Sequence, residues 1–150
     1  MTRQLKLTAL AAVFLFSLPV FTLPAGAGET LPEPMIERLH TMAADWNRGD
    51  MTAFLNGYWN DEGFVFAAGK SASRGWQSTR ERYATHYPGR DKMGQVTFSE
   101  ISARRFSGTS GMIFCRWTLD FGDHSATGYA TFILERKGDT WRVTHEHASS

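Results

Sequence analysis

An α+β fold, with a curved and mostly antiparallel sheet wrapped on about three helices near the N-terminal side, is predicted by three features of this sequence. Met35, Leu39, Met42 and Trp46 recur at i, i+4, i+7 and i+11, the spacing of one apolar helix face. A second helical pattern runs from Gly75 to about His86, with Trp76, Thr79, Tyr83 and Tyr87 on one side. Beyond it, segments rich in β-branched and aromatic residues follow one another between Gly/Asp turns up to His147.

The chain starts with three zones in the order of a secretory signal peptide. Arg3 and Lys6 supply positive charge, Leu7 to Leu23 carry no charge, and Ala25 and Ala27 offer small side chains for an A-x-A cleavage site. The apolar run falls short of the ~20 residues of a spanning helix, and Pro19 interrupts it. The expectation is therefore export, cleavage after Ala27 and a periplasmic or secreted domain of residues 28–150, with no membrane association afterwards. Losing Arg3 and Lys6 leaves 14 of the 16 basic side chains against 15 acidic ones, so no basic surplus points to nucleic acid. All five Trp and all four Tyr lie between Trp46 and Trp141, enough large rings for a packed core.

The lead-in 28–34 contains Pro32 and Pro34, and Pro34 suits the first turn of the first helix. Glu37, Arg38, Thr41 and Asp45 fall on its polar side. Gly49 stops it, and Asp50 is placed to cap a short second helix through Met51, Phe54 and Leu55. Asn60–Gly63 reads as a turn, and Phe64-Val65-Phe66 as a short strand that ends in the Gly69–Gly75 region. Pro88-Gly89 closes the third helix. Four strands follow: Val96 continuing irregularly to Phe106, Gly111–Phe121, Ser125–Arg136 and Thr140–His147. Ile113, Cys115, Trp117, Leu119 and Phe121 share one face of the second of these. Its other face holds Met112, Phe114, Arg116, Thr118 and Asp120, so both faces read as covered. Helices on one face of a twisted sheet leave a cone with room for an internal pocket, and the other face is free for dimerisation.

Cys115 is the single cysteine; it has no disulfide partner in the chain and reads as a buried, inert thiol. Arg116, set among Phe114, Cys115 and Trp117, calls for either an anionic ligand or an ion pair with Glu100 or Asp120. His145 and His147, two apart on a strand, point to one face about 6.6 Å apart along the chain, with Trp141 and Val143 expected beside them. They read as pocket-lining acid/base or hydrogen-bonding groups; the third and fourth ligands of a structural metal site are missing, so no metal and no cofactor is implied. Tyr58, Phe64, Tyr83 and Tyr129, with Trp59, Phe66 and Trp76, supply rings for a cavity wall, and each buried Tyr hydroxyl needs a partner. Asp61 and Asp120 are candidate carboxylates by residue type alone. No nucleophile elbow, P-loop or dinucleotide fingerprint is present.

The closing stretch Gly138-Asp139-Thr140-Trp141-Arg142-Val143-Thr144-His145-Glu146-His147-Ala148-Ser149 resembles the last strand of the nuclear transport factor 2-like superfamily, especially its SnoaL-like and ketosteroid-isomerase-like bacterial members. Trp46-Asn47-Arg48-Gly49-Asp50 is similar to the usual junction of the first two helices there, and the likeness spans roughly residues 33–149. It extends to the association domain of calcium/calmodulin-dependent protein kinase II, which carries a pocket arginine where Cys115-Arg116-Trp117-Thr118 lies. A second pocket arginine of that domain falls near Phe132, which is not arginine here. The resemblance implies a homodimer and an internal pocket. The function expected is an exported small-molecule-binding domain whose ligand is anionic or carbonyl-bearing, held by Tyr58, Phe64, Tyr83, Arg116, Tyr129, His145 and His147. The alternatives are a small acid/base enzyme (isomerase, dehydratase or hydrolase) with a His/Asp pocket, and a dimeric protein-interaction module.

Overall fold

The computed structural model describes residues 32–150; the signal-peptide expectation for residues 1–27 lies outside them. Helix α1 (Glu33–Asn47) buries Met35, Leu39, Met42 and Trp46, the face its periodicity marks out. Asp45, expected on the polar side, is buried as well and is held by Arg48 at 2.5 Å. Gly49 adopts φ +80, a left-handed conformation that glycine takes without strain, and turns the chain into α2 (Met51–Leu55). Asp50 caps α2, its carboxylate accepting from the Ala53 N–H at 2.9 Å.

Strands β1 (Val65–Ala68) and β2 (Ser71–Arg74) form a hairpin before α3 (Trp76–His86). A 3-10 turn at Arg90–Lys92 leads to the long strands β3 (Gln95–Arg105), β4 (Ser110–Asp120), β5 (Ser125–Lys137) and β6 (Thr140–Ala148). The six strands form one sheet in the order β2-β1-β6-β5-β4-β3, antiparallel except where β1 runs parallel to β6. This is the predicted α+β architecture with one strand more on its edge. Ser71–Arg74 escaped the sequence pattern because an edge strand open to solvent has no apolar face to show.

Two irregularities decide which side chains face inward. In β3 the register shifts between Ser99 and Ser102, placing one extra residue there, and Glu100 takes φ 51. In β6, Ile133 pairs with His145 while the next residue, Leu134, pairs with Val143, so Thr144 is the extra residue of a bulge. Trp141 and Val143 are buried before the bulge, and Glu146 is buried after it. Because side chains alternate strictly along a strand, one inserted residue exchanges the faces. The expectation that His145 and His147 share a face with Trp141 and Val143 is thereby corrected.

The core lies between α1, α2, α3 and the concave side of the sheet, around Met35, Leu39, Met42, Phe64, Ile113, Leu134 and Val143. The convex side carries Phe114, Arg116 and Tyr129. In the single chain this side is open, with Phe114 40% exposed, so β4 is not covered on both faces as its composition suggested.

Candidate functional site

Between the helices and the concave side of the sheet is a cavity of about 260 Å³. Each wall is set by a local feature already described. From α1 comes Trp46, and its indole N–H is committed to the Met93 carbonyl at 3.1 Å. From α2 comes Phe54, edge-on to Trp46 at 5.0 Å, and just beyond it Tyr58, edge-on to Phe54 at 5.5 Å. From α3 comes Tyr83, 5.3 Å from Phe54 and 5.6 Å from Phe66 of β1. Phe98 and Phe132 meet edge-on at 5.9 Å on the sheet side. Trp117 closes one end, donating from its indole N–H to the Ser149 carbonyl at 3.1 Å. Ser149 in turn donates its backbone N–H to the Tyr129 carbonyl at 2.8 Å, which lays the segment after β6 across Gly128. Only glycine fits beneath it: a Cβ at Gly128 would stand 1.7 Å from the Ser149 oxygen.

Into this aromatic chamber β6 projects one carboxyl group, that of Glu146, 6% exposed. Its Oε2 accepts the Tyr58 hydroxyl at 2.7 Å, and the Tyr58 oxygen lies 3.4 Å from the Tyr83 hydroxyl. A phenol has one proton. When Tyr58 gives its proton to Glu146, Tyr83 is left to donate to Tyr58, and the three groups form a chain directed at the carboxylate. Burial pushes the Glu146 carboxyl up to about 7, although the Tyr58 hydrogen bond pulls the other way. Burial, followed by the Glu146 charge, holds Tyr58 and Tyr83 well above the usual phenol range. Both tyrosines therefore stay protonated while Glu146 changes state near neutral pH. Groups poised in this way in a cavity serve to bind or to move protons.

Tyr58 and Tyr83, two of the residues expected to hold a ligand, line the cavity. Phe64 does not; it is fully buried behind Tyr58, 5.1 Å from its ring. Arg116 and Tyr129 stand on the convex side of the sheet, outside the cavity. There the Arg116 Nε donates to Glu100 at 2.8 Å, and its guanidinium also bonds the Tyr129 hydroxyl and lies 4.4 Å over that ring. The ion pair with Glu100 is thus the reading the geometry adopts, and the bulge in β3 aims that carboxylate. His145 and His147 pair with Val65 and Ala67 of β1, while their neighbours Glu146 and Ala148 pair with Phe66 and Ala68, which line the cavity. The Thr144 bulge therefore turns both histidines away from it. Asp61 sits in a turn and Asp120 at the end of β4, and they accept the backbone N–H groups of Gly63 and Gly122. Cys115 is fully buried, and burial pushes its thiol up to about 12, so the thiolate needed of a nucleophile is not formed near neutral pH. Among the described residues no three His, Cys, Asp or Glu side chains gather as metal ligands.

Sequence reasoning missed Glu146. Strict alternation from Trp141 places it on the solvent face, and a bulge made by Thr144 carries no glycine or proline to announce itself.

A sheet curled around helices with its chamber between them defines a nuclear transport factor 2-like protein. The chain belongs to the SnoaL-like domain family, whose model matches residues 35–150. It is similar in structure to a nuclear transport factor 2-like protein of unknown function from Shewanella oneidensis MR-1, with 29% identity, 80% of this chain and 100% of that one covered, and a TM-score of 0.76. A ketosteroid isomerase-like protein from Erwinia carotovora atroseptica SCRI1043 shares the fold at 16% identity, over 78% of this chain and 93% of that one, with a TM-score of 0.62. So does a putative calcium/calmodulin-dependent protein kinase II association domain from Xanthomonas campestris, at 15% identity, 77% and 84% coverage, and a TM-score of 0.63. No curated protein sequence matches the chain.

Proposed function

We propose that this domain binds a small organic molecule inside the cone, between the rings of Trp46, Phe54, Tyr58, Phe66 and Tyr83, with Glu146 orienting it. One observation carries this reading: a single buried carboxyl group faces an aromatic cavity of about 260 Å³. Apolar chambers with few, fixed polar groups are the usual form of small-molecule sites, in which rings supply affinity and the polar group supplies orientation. Arg116, the residue that motivated an anionic ligand, is engaged with Glu100 on the far side of the sheet. Export of the domain and pairing with a second copy through the convex face complete the reading. N-terminal sequencing of the secreted or periplasmic form tests the first, and light scattering of the purified domain tests the second. Native mass spectrometry of protein purified without denaturant tests binding itself. A defined extra mass, lost on Glu146→Gln or Tyr58→Phe, is expected; loss on Arg116→Met instead sinks the assignment of the site.

A second reading is favoured by the poise of Glu146 near neutrality beside a tyrosine pair. An acid/base enzyme acting on a carbonyl-bearing substrate needs a group that both takes and returns a proton at working pH. Its signature is deuterium uptake from heavy water at the carbon next to a ketone, present with the native protein and absent with Glu146→Gln.

A further inference from the structure

We infer that the cavity ligand is an organic cation: a protonated amine on an apolar or aromatic body, its N–H directed at Glu146. This rests on the cavity being a ligand site, and adds the charge of what it holds.

The donors and acceptors at the polar end of the chamber are unevenly matched. Glu146 Oε2 is taken by Tyr58, whereas Oε1 has no hydrogen-bond partner among the described residues. Four of the chamber's donors are committed elsewhere. The indole N–H groups of Trp46 and Trp117 serve backbone carbonyls, and the protons of Tyr58 and Tyr83 run along the chain to the carboxylate. An acceptor left open at the polar end of the chamber selects a ligand that donates there.

Charge points the same way. No cationic side chain pairs with Glu146 among the described residues. The groups that face it are Tyr58 from the segment after α2, Tyr83 from α3, Tyr87 just after α3, and Cys115 from β4. Arg82, on α3, lines the cavity but does not pair with Glu146; its guanidinium donates to the Ser71 hydroxyl at 2.8 Å and lies over the Phe66 ring, 5.4 Å from its centre. His86 is engaged with the Arg82 carbonyl at 2.8 Å. The carboxylate therefore has no paired counter-ion among the described residues, and a cation that meets the face of a lining ring gains from its quadrupole. An ammonium ion supplies the missing charge and the missing donor together. Burial that holds Glu146 near 7 is the cost such a ligand relieves, so binding below that pH releases a proton.

The test compares three probes with one apolar body and three charges: 2-phenylethylammonium, 2-phenylethanol and phenylacetate, titrated by ligand-observed NMR at pH 8. The cation is expected to bind about tenfold or more tightly than the alcohol, a charge-assisted hydrogen bond set against a neutral one. The anion binds weakest. Glu146→Gln, with its fold checked by circular dichroism, brings the cation to within about twofold of the alcohol. In the native protein, calorimetry of the cation at pH 6.5 in two buffers of different ionisation enthalpy shows proton release. Equal or tighter binding of the alcohol or the acid, or proton uptake with the amine, overturns the cation assignment and leaves the cavity a binding site. If no probe reaches the cavity, as shown by unchanged resonances of its rings, the binding reading falls with it.

Discussion

Tyr58 and Glu146, 88 residues apart in the chain, meet in a 2.7 Å hydrogen bond that joins the helical layer to the sheet at the cavity's polar end. Because the phenol stabilises the charged carboxylate, removing it raises the Glu146 pKa further. Tyr58→Phe is expected to cost about 1–3 kcal/mol where the carboxylate is ionised, and less where it is protonated. Denaturant melts at pH 8 and pH 5 check the difference. Carbon-13 titration of the Glu146 carboxyl group checks the direction of the shift.

Glu146 also makes stability depend on pH with a sign unusual for a carboxylate. Its folded pKa lies near 7, above the ~4.5 of an unfolded chain, so between these values the native state holds more protons. Its contribution is complete below pH 4.5 and declines as pH rises through 7, by a total on the order of 3 kcal/mol. Urea melts between pH 4.5 and 8.5 should show this fall, and Glu146→Gln should remove it.

The bulge at Thr144 predicts the outcome of a deletion. Without Thr144, the residues after it exchange faces, which turns His145 and His147 inward and Glu146 outward. Loss of cooperative folding is expected in circular dichroism and thermal melts. Thr144→Ser, which keeps the extra residue, retains it.

Gly128 predicts a change confined to one wall of the chamber. Gly128→Ala forces the Ser149 carbonyl off the strand, breaking its bond with Trp117. A cost of about 1–3 kcal/mol in a melt is expected from this overpacking. Faster dissociation of any cavity ligand should accompany it, read by exchange NMR.

Arg116→Met is expected to leave ligand binding unchanged, because Arg116, Glu100 and Tyr129 form their network on the convex side of the sheet. Titration of the same probes against this variant checks it.

How much of this was legible in the sequence depends on where packing leaves a trace. The α1 face, the Asp50 cap and the four long strands were legible, because a half-buried helix or strand must alternate its residues to suit its surroundings. Strand β2 was not, since nothing on an edge demands apolar residues. The rings of Tyr58 and Tyr83 were found, yet the carboxyl group they surround was not. Its side of the strand is set by which residue of β5 faces which residue of β6, a property of pairing between segments that neither segment's composition records. Arg116 misled for a related reason. Apolar neighbours in sequence suggested burial, whereas its spatial neighbours, Glu100 and Tyr129, are an open carboxylate and a partly exposed ring.

Strand β6 lies between β5, to which it is joined by a tight turn, and β1, whose partner residues are some 80 positions earlier. Until β6 is in place, the β1–β2 hairpin has no neighbour and the β3–β5 meander has a free edge. Closing so long a stretch of chain before any pairing rewards it is what slows folding. The same strand carries Glu146, so the cavity is complete only once this long-range pairing has formed. A ligand that recognises Glu146 binds only chains that have completed the sheet, and in a refolding experiment its signal would time the arrival of β6.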